Sequence, residues 1–201
     1  MEPCIYVYKM TTDNGGAPCV RNALLSLAIC KPDIRRMAKT GSIIFGFGGK
    51  DYDERLLYVA RVTDKSPTGS YYRDSRYSKR PDCIYELGKD GKTPELRKAA
   101  KYHTKSDERK RDVGIAFEKA DVLLSDDFRY FGRDGTTDYK KQPQFAKIRQ
   151  LVEGMRQGYR VNHLPELRSQ LTLLKEQMLD NNPDKTVGKP TESDRNKVCN
   201  R

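Results

Sequence analysis

Two histidines and five cysteines bound the nucleophilic and acid–base chemistry open to this 201-residue chain. Cys19 follows Gly15-Gly16-Ala17-Pro18, where it could open a following helix whose dipole favours a thiolate. It is the leading nucleophile candidate, set against an inert buried thiol. His103, within AAKYHTKSDE, offers proton transfer or a phosphate contact, with a surface histidine in a basic loop as the competing reading. Asp112 is the carboxylate that would join Cys19 and His103 in general acid–base work. His163, before Leu164-Pro165, suits capping or an interface better than catalysis.

Signatures for metals and nucleotide cofactors are missing. The cysteines at 4, 19, 30, 83 and 199 form no C-x-x-C pair, and neither H-E-x-x-H nor the deaminase pattern occurs. No metal and no cofactor are therefore expected. A glycine-rich turn at Gly46, Gly48 and Gly49 precedes Lys50, but Asp51 stands where a phosphate loop needs Ser or Thr. Those glycines join two predicted strands, whereas a dinucleotide fingerprint opens a helix.

Binding chemistry is better represented. The net charge is +11, which favours an anionic partner over none. Fifteen Lys and Arg against eight Asp and Glu fall between positions 61 and 111, so that segment alone supplies seven of the eleven net charges. Aromatics interleave with these cations, an arrangement suited to base stacking beside phosphate contacts. Arg35, Arg36, Lys79 and Arg80 are the candidate phosphate ligands. Tyr71, Tyr72 or Phe131 would stack on a base, and Asp82 or Asn14 would read its edge. Phe45 and Phe47 alternate along a predicted strand and are assigned to the core.

These residues need a scaffold. Strands are predicted at 5–10, 42–47, 56–62, 83–87 and 120–125 from β-branched and aromatic runs bounded by turn residues. The apolar run 21–30 reads as a buried helix, and Pro32 starts a further helix carrying Ile34, Arg35 and Met37. Near the C-terminus, Phe145, Ile148, Leu151, Val152 and Met155, then Leu167, Leu171, Leu174 and Met178, recur at helical spacing. This gives an α+β domain over 1–142, a C-terminal helical pair over 143–179 packed on it, and a disordered tail over 180–201. No leader and no apolar run of about 18 residues is found, so a reducing cytoplasm is expected.

YVYKMTTDNGGAPC, LLSLAICKPDIRRMAKTGSIIFGFGG, LLYVARVTD, YYRDSRYSKRPDCIYE and VLLSDDFRYFG together resemble the nucleotide modification associated domain family, the second of its numbered types. The resemblance runs from about Tyr6 to the last helix and implies an association with phage and bacterial systems that make or manage modified DNA bases. It transfers no catalytic residue. The order Arg35-x-x-Ala38-x-x-Gly41-Ser42, then a strand and Val59-Ala60-Arg61-Val62, is similar to PUA-like domains of the EVE and ASCH kind, small barrels that hold a nucleobase beside the barrel. Position 42 is Ser where those domains usually have Asp, and the chain has no Trp, so an aromatic cage would use Tyr or Phe.

The sequence thus predicts a partly closed PUA-like β-barrel flanked by helices. Its expected function is binding a modified nucleotide or a nucleic acid containing a modified base. The alternative is a transferase or glycosidase acting on a base or nucleotide through Cys19, His103 and Asp112. A protein partner would dock on the C-terminal helices.

Overall fold

The structure is a computed structural model, and it describes residues 2–103 and 105–192. In chain order the first half contains β1 (Ile5–Met10), β2 (Cys19–Arg21), β3 (Leu24–Leu27), α1 (Pro32–Met37), β4 (Ile43–Gly48), β5 (Leu56–Arg61), β6 (Asp64–Ser66), α2 (Ser70–Arg73), β7 (Tyr85–Leu87) and β8 (Pro94–Leu96). The second half adds α3 (Ser106–Val113), β9 (Val122–Ser125), β10 (Asp127–Tyr130), α4 (Ala146–Gly154), β11 (Tyr159–Arg160) and α5 (Pro165–Asp180).

A five-stranded sheet in the order β10-β5-β4-β1-β11 forms the centre, with β1 and β4 parallel and the other pairs antiparallel. Its central strands β1 and β4 are buried on both faces, which is why they read as nearly continuous apolar runs. The two-residue period splits their side chains. Ile5, Val7, Phe45 and Phe47 pack against Ile148 and Val152 of α4 and Leu171 and Leu174 of α5. Tyr6, Tyr8 and Met10 face the other way, against Leu25, Leu27, Ile34 and Leu123. Each such side chain contributes about 1.5–3 kcal/mol on burial, so the C-terminal pair spends its apolar face on this sheet.

A four-stranded sheet in the order β2-β3-β9-β6 and the β7-β8 hairpin complete an α+β fold. No closed barrel forms among the described residues; the strands divide into three open sheets instead. The run 21–30 is corrected as well. It is the second half of the β2–β3 hairpin, turned by Asn22 and Ala23 at positive φ, and not a helix. Its unbroken apolar character comes from packing on two sides: Leu25 and Leu27 enter the core with Tyr6 and Tyr8, whereas Leu24, Ala28 and Ile29 pack with Tyr72 and Tyr85.

The segment expected to be a disordered tail is also corrected over its first part. Residues 185–192 form a strap on the central sheet. Tyr130 N donates to Lys185 O at 2.9 Å, Val187 N to Tyr130 O at 2.9 Å, and Arg133 N to Lys189 O at 2.9 Å. The strap then clamps the loop after β1: the Thr191 amide and hydroxyl both donate to Asp13 Oδ2 at 3.0 Å, and Tyr130 OH donates to Asp13 Oδ1 at 2.7 Å. Backbone bonding supplied this order where composition offered no apolar signal. Residues 193–201 lie outside the described residues.

A buried charge cluster closes the far end of β1. Lys9 Nζ donates to Glu54 Oε1 at 2.7 Å and Lys140 Nζ to Glu54 Oε2 at 2.9 Å. Burial alone would raise the Glu54 carboxyl, but the hydrogen bonds and charges of the two lysines outweigh it and hold it below its ordinary 4.5. A depressed carboxyl stabilises the fold above its unfolded value and loses that contribution as pH falls through the lower folded value. Glu54→Gln should therefore cost about 1–3 kcal/mol at pH 7. In urea titrations the gap between variant and wild type should shrink by about pH 3; a gap independent of pH would refute the assignment.

A cysteine–histidine–aspartate relay on a pocket wall

The turn from β3 into α1 is the most constrained backbone in the protein. Pro32 fixes the first turn of α1, and directly before it Cys30 and Lys31 take φ of 59° and 45°. Left-handed backbone at residues other than glycine costs roughly 1–2 kcal/mol each, so packing must hold this turn. Arg35, one turn further on, does so. Its side chain is fully buried, and it donates from Nε to Cys30 O at 2.7 Å, from Nη2 to Asp112 O at 2.7 Å and from Nη1 to Asp121 O at 2.7 Å.

α3 brings the carboxylate. Asp107 and Glu108 in its first turn and Lys110 and Arg111 in its last complement the helix dipole. Its buried face carries Glu108 and Asp112. His103, at φ 48°, lies in the loop leading to this helix.

The three side chains meet in series. Cys30 Sγ lies 3.2 Å from His103 Nε2, and His103 Nδ1 is hydrogen-bonded to Asp112 Oδ2. Asp112 also accepts from Cys30 N at 2.8 Å through Oδ1 and from Tyr85 OH at 3.1 Å through Oδ2. An ionised carboxylate only accepts, so Nδ1 of the imidazole carries the hydrogen and Nε2 is left to receive the thiol proton. His103 is 6% exposed and Asp112 2%, which shields the pair from water. The relay lines a cavity of 340 Å³ whose walls include Tyr8, Asn14, Lys31, Tyr102, Arg111 and Tyr159.

The sequence-derived candidates separate into distinct environments. His103 and Asp112 do come together, but their thiol is Cys30 and not Cys19. Cys19 starts a strand and opens no helix; burial, followed by the charge of Asp82, pushes its thiol up to about 12. Asn14 lines the cavity. Asp82 instead accepts from Tyr71 OH at 2.8 Å and from Ser26 Oγ at 2.5 Å, fully buried in the core. Tyr72 donates to Ala28 O at 2.8 Å and packs with Tyr71, Tyr85 and Phe117, while Phe131 belongs to the core beneath the central sheet.

Of the phosphate candidates, Arg35 is the buried brace just described. Arg80 is 8% exposed and donates to the carbonyls of Cys19, Arg21 and Leu24. Arg36 is exposed and pairs with Asp33 at 3.5 Å, and Lys79 lines a separate surface cleft. His163 Nε2 is 3.0 Å from Ile5 O, a structural contact.

Cys30 was the residue missed. One signal was present: a cysteine two positions before a proline, at a strand-to-helix turn, occupies the kind of sharp bend that presents nucleophiles. That signal is invisible while residues 21–30 are read as helical. Among the described residues, no group of three or more His, Cys, Asp or Glu is gathered closely enough to hold a metal ion. No helix of the described residues is long and apolar enough to cross a membrane.

A thiol, an imidazole and a carboxylate in hydrogen-bonded series beside a cavity are the components of a cysteine-nucleophile centre. The chain that builds it belongs to the nucleotide modification associated domain 2 family, whose model matches residues 2–195. No curated protein sequence and no solved structure matches the chain.

Proposed function

We propose that this protein is an enzyme of nucleotide modification that works by covalent thiol catalysis, with Cys30 as nucleophile, His103 as general base and then acid, and Asp112 as the group that fixes the His103 tautomer. The observation that carries the reading is the 3.2 Å approach of Cys30 Sγ to His103 Nε2, with Asp112 behind the ring. A module that only bound a modified base would have no use for a thiol–imidazole contact held by left-handed backbone on the pocket wall.

The chemistry this relay suits best is acyl transfer. His103 takes the Cys30 proton as sulfur attacks a carbonyl carbon, forming a C–S bond. His103 returns the proton to the leaving nitrogen or oxygen as its bond to that carbon breaks. A water or amine, deprotonated by the same imidazole, then attacks the thioester and restores the thiol. The family membership supports a nucleotide or base as one of the two partners.

Selective alkylation tests the thiol. Iodoacetamide followed by peptide mapping should label Cys30 fastest, at least about tenfold above exposed Cys4, because a neighbouring base generates the thiolate. Cys19 and Cys83, buried with thiols pushed up to about 12 and about 11, should resist labelling in the folded protein. Equal labelling of Cys4 and Cys30 would remove the proposal.

A further inference from the structure

Resting on the reading of this cavity as a nucleotide site, we infer that Glu108 selects a base carrying an exocyclic amino group over its oxo counterpart. Glu108 is 4% exposed and lines the 340 Å³ cavity, a volume in the range of small-ligand sites. Its Oε2 accepts from Lys105 N at 3.2 Å and so closes the capping box of α3. Its Oε1 has no partner among the described residues and stays accessible through the cavity wall.

A carboxylate oxygen only accepts hydrogen bonds, so the ligand group that meets Oε1 must donate. Two kinds of donor are open, a cationic amine and a neutral N–H on a ring. Lys31 and Arg111 line the same cavity, and the Lys31 ammonium lies 4.9 Å from the centre of the Tyr8 ring. A further cation would face both, whereas a neutral donor faces neither penalty. Tyr8, Tyr102 and Tyr159 give the walls ring surfaces on which a flat base can stack. An amino group turns two hydrogens toward such a carboxylate; an oxo group at the same ring position turns lone pairs toward it and leaves a buried charge unpaired.

The position of Glu108 ties this edge to the relay. Glu108 and Asp112 are four residues apart on the buried face of α3, which places their Cβ atoms about 5–6 Å from each other. A base held by Glu108 therefore lies one helical turn from the carboxylate that orients His103. Glutamine at position 108 separates the roles of this side chain. It can still complete the capping box through its oxygen, but it then turns an N–H donor to the cavity in place of the acceptor.

The test is calorimetric titration of the full chain with nucleotides that differ at one ring position: dAMP or dGMP against dIMP, and dCMP against dUMP. In the pair that binds most tightly, the amino member should bind at least about tenfold more tightly than its counterpart. In Glu108→Gln that ratio should fall below about threefold while the Tm stays within about 2 °C of wild type, because the cap is kept. Equal or reversed preference in the wild-type protein, no binding of any of these nucleotides at millimolar concentration, or an unchanged ratio in Glu108→Gln would each overturn the inference. Iodoacetamide labelling of Cys30 against Cys4 in the same preparations distinguishes its failure from that of the thiol reading. Fast labelling without an amino preference removes the role of Glu108 and leaves the nucleophile standing. An amino preference with Cys30 labelled no faster than Cys4 leaves the base contact standing and removes covalent catalysis.

Discussion

Asp112→Asn is expected to slow Cys30 alkylation, and any turnover that depends on it, by on the order of 10²–10⁴, the usual contribution of general acid–base catalysis. The carboxylate accepts on both sides, from Cys30 N through Oδ1 and from His103 Nδ1 and Tyr85 OH through Oδ2. An amide has one acceptor. If its oxygen stays with the Cys30 amide, its NH₂ faces Nδ1 and forces the imidazole hydrogen onto Nε2. His103 then points a donor at Cys30 Sγ and has no lone pair for the thiol proton. If the amide flips, two N–H groups collide at Cys30 and the strained turn loses its anchor. Either way reactivity falls; only the first leaves the fold nearly intact. The measurement is the alkylation rate of Cys30 against pH, with Cys4 as internal standard. A variant whose Cys30 rate matches wild type would show that the carboxylate does not govern the imidazole.

Arg35→Ala carries the largest expected loss of stability, on the order of 3–5 kcal/mol, as for other buried charges removed from a paired setting. At 2–4 °C per kcal/mol for a chain of this size, that is a fall in Tm of about 10 °C. Four carbonyls lose their donor, those of Cys30, Asp112, Asp121 and, at 3.4 Å, Lys119. Burial keeps water from replacing it. Arg35→Lys restores the charge but cannot span the same carbonyls, since a single ammonium lacks the planar fork. It should recover less than half of the Tm. Because Arg35 joins the backbone of Cys30 to that of Asp112, the Lys variant should also separate stability from reactivity, with Cys30 alkylation falling at temperatures where the protein is fully folded. Scanning calorimetry alongside the alkylation assay reads both, and a Tm within about 2 °C of wild type for the Ala variant would contradict the brace.

The framework was legible where composition or periodicity was distinctive. β1, β4 and β5 are rich in β-branched and aromatic residues between turn residues, and α4 and α5 show apolar residues three and four apart, so their positions follow from the chain alone. The run LLSLAIC failed for the opposite reason: a short apolar strand buried on both faces has no period to distinguish it from a helix. That single error moved the candidate nucleophile. With residues 21–30 helical, Cys19 sits at a helix start and Cys30 in mid-chain; with a hairpin there, Cys19 is interior and Cys30 is at the bend. His103 was nameable because the chain has only two histidines, and Asp112 because it lies nine positions further on. Arginine was the hardest to read, since nothing in sequence distinguishes one that meets a phosphate from one, such as Arg35 or Arg80, that satisfies buried carbonyls.

The strap at 185–192 gives the pocket a place in the timing of synthesis. Cys30 and Asp112 are 82 positions apart, whereas Asp13 and its Thr191 clamp are separated by 178. On a ribosome adding 5–20 residues per second, the clamp leaves the peptidyl centre roughly 10–35 seconds after the loop it holds. The loop that carries Asn14 to the cavity wall therefore gains its Thr191 clamp only after every residue that lines the cavity has been synthesised.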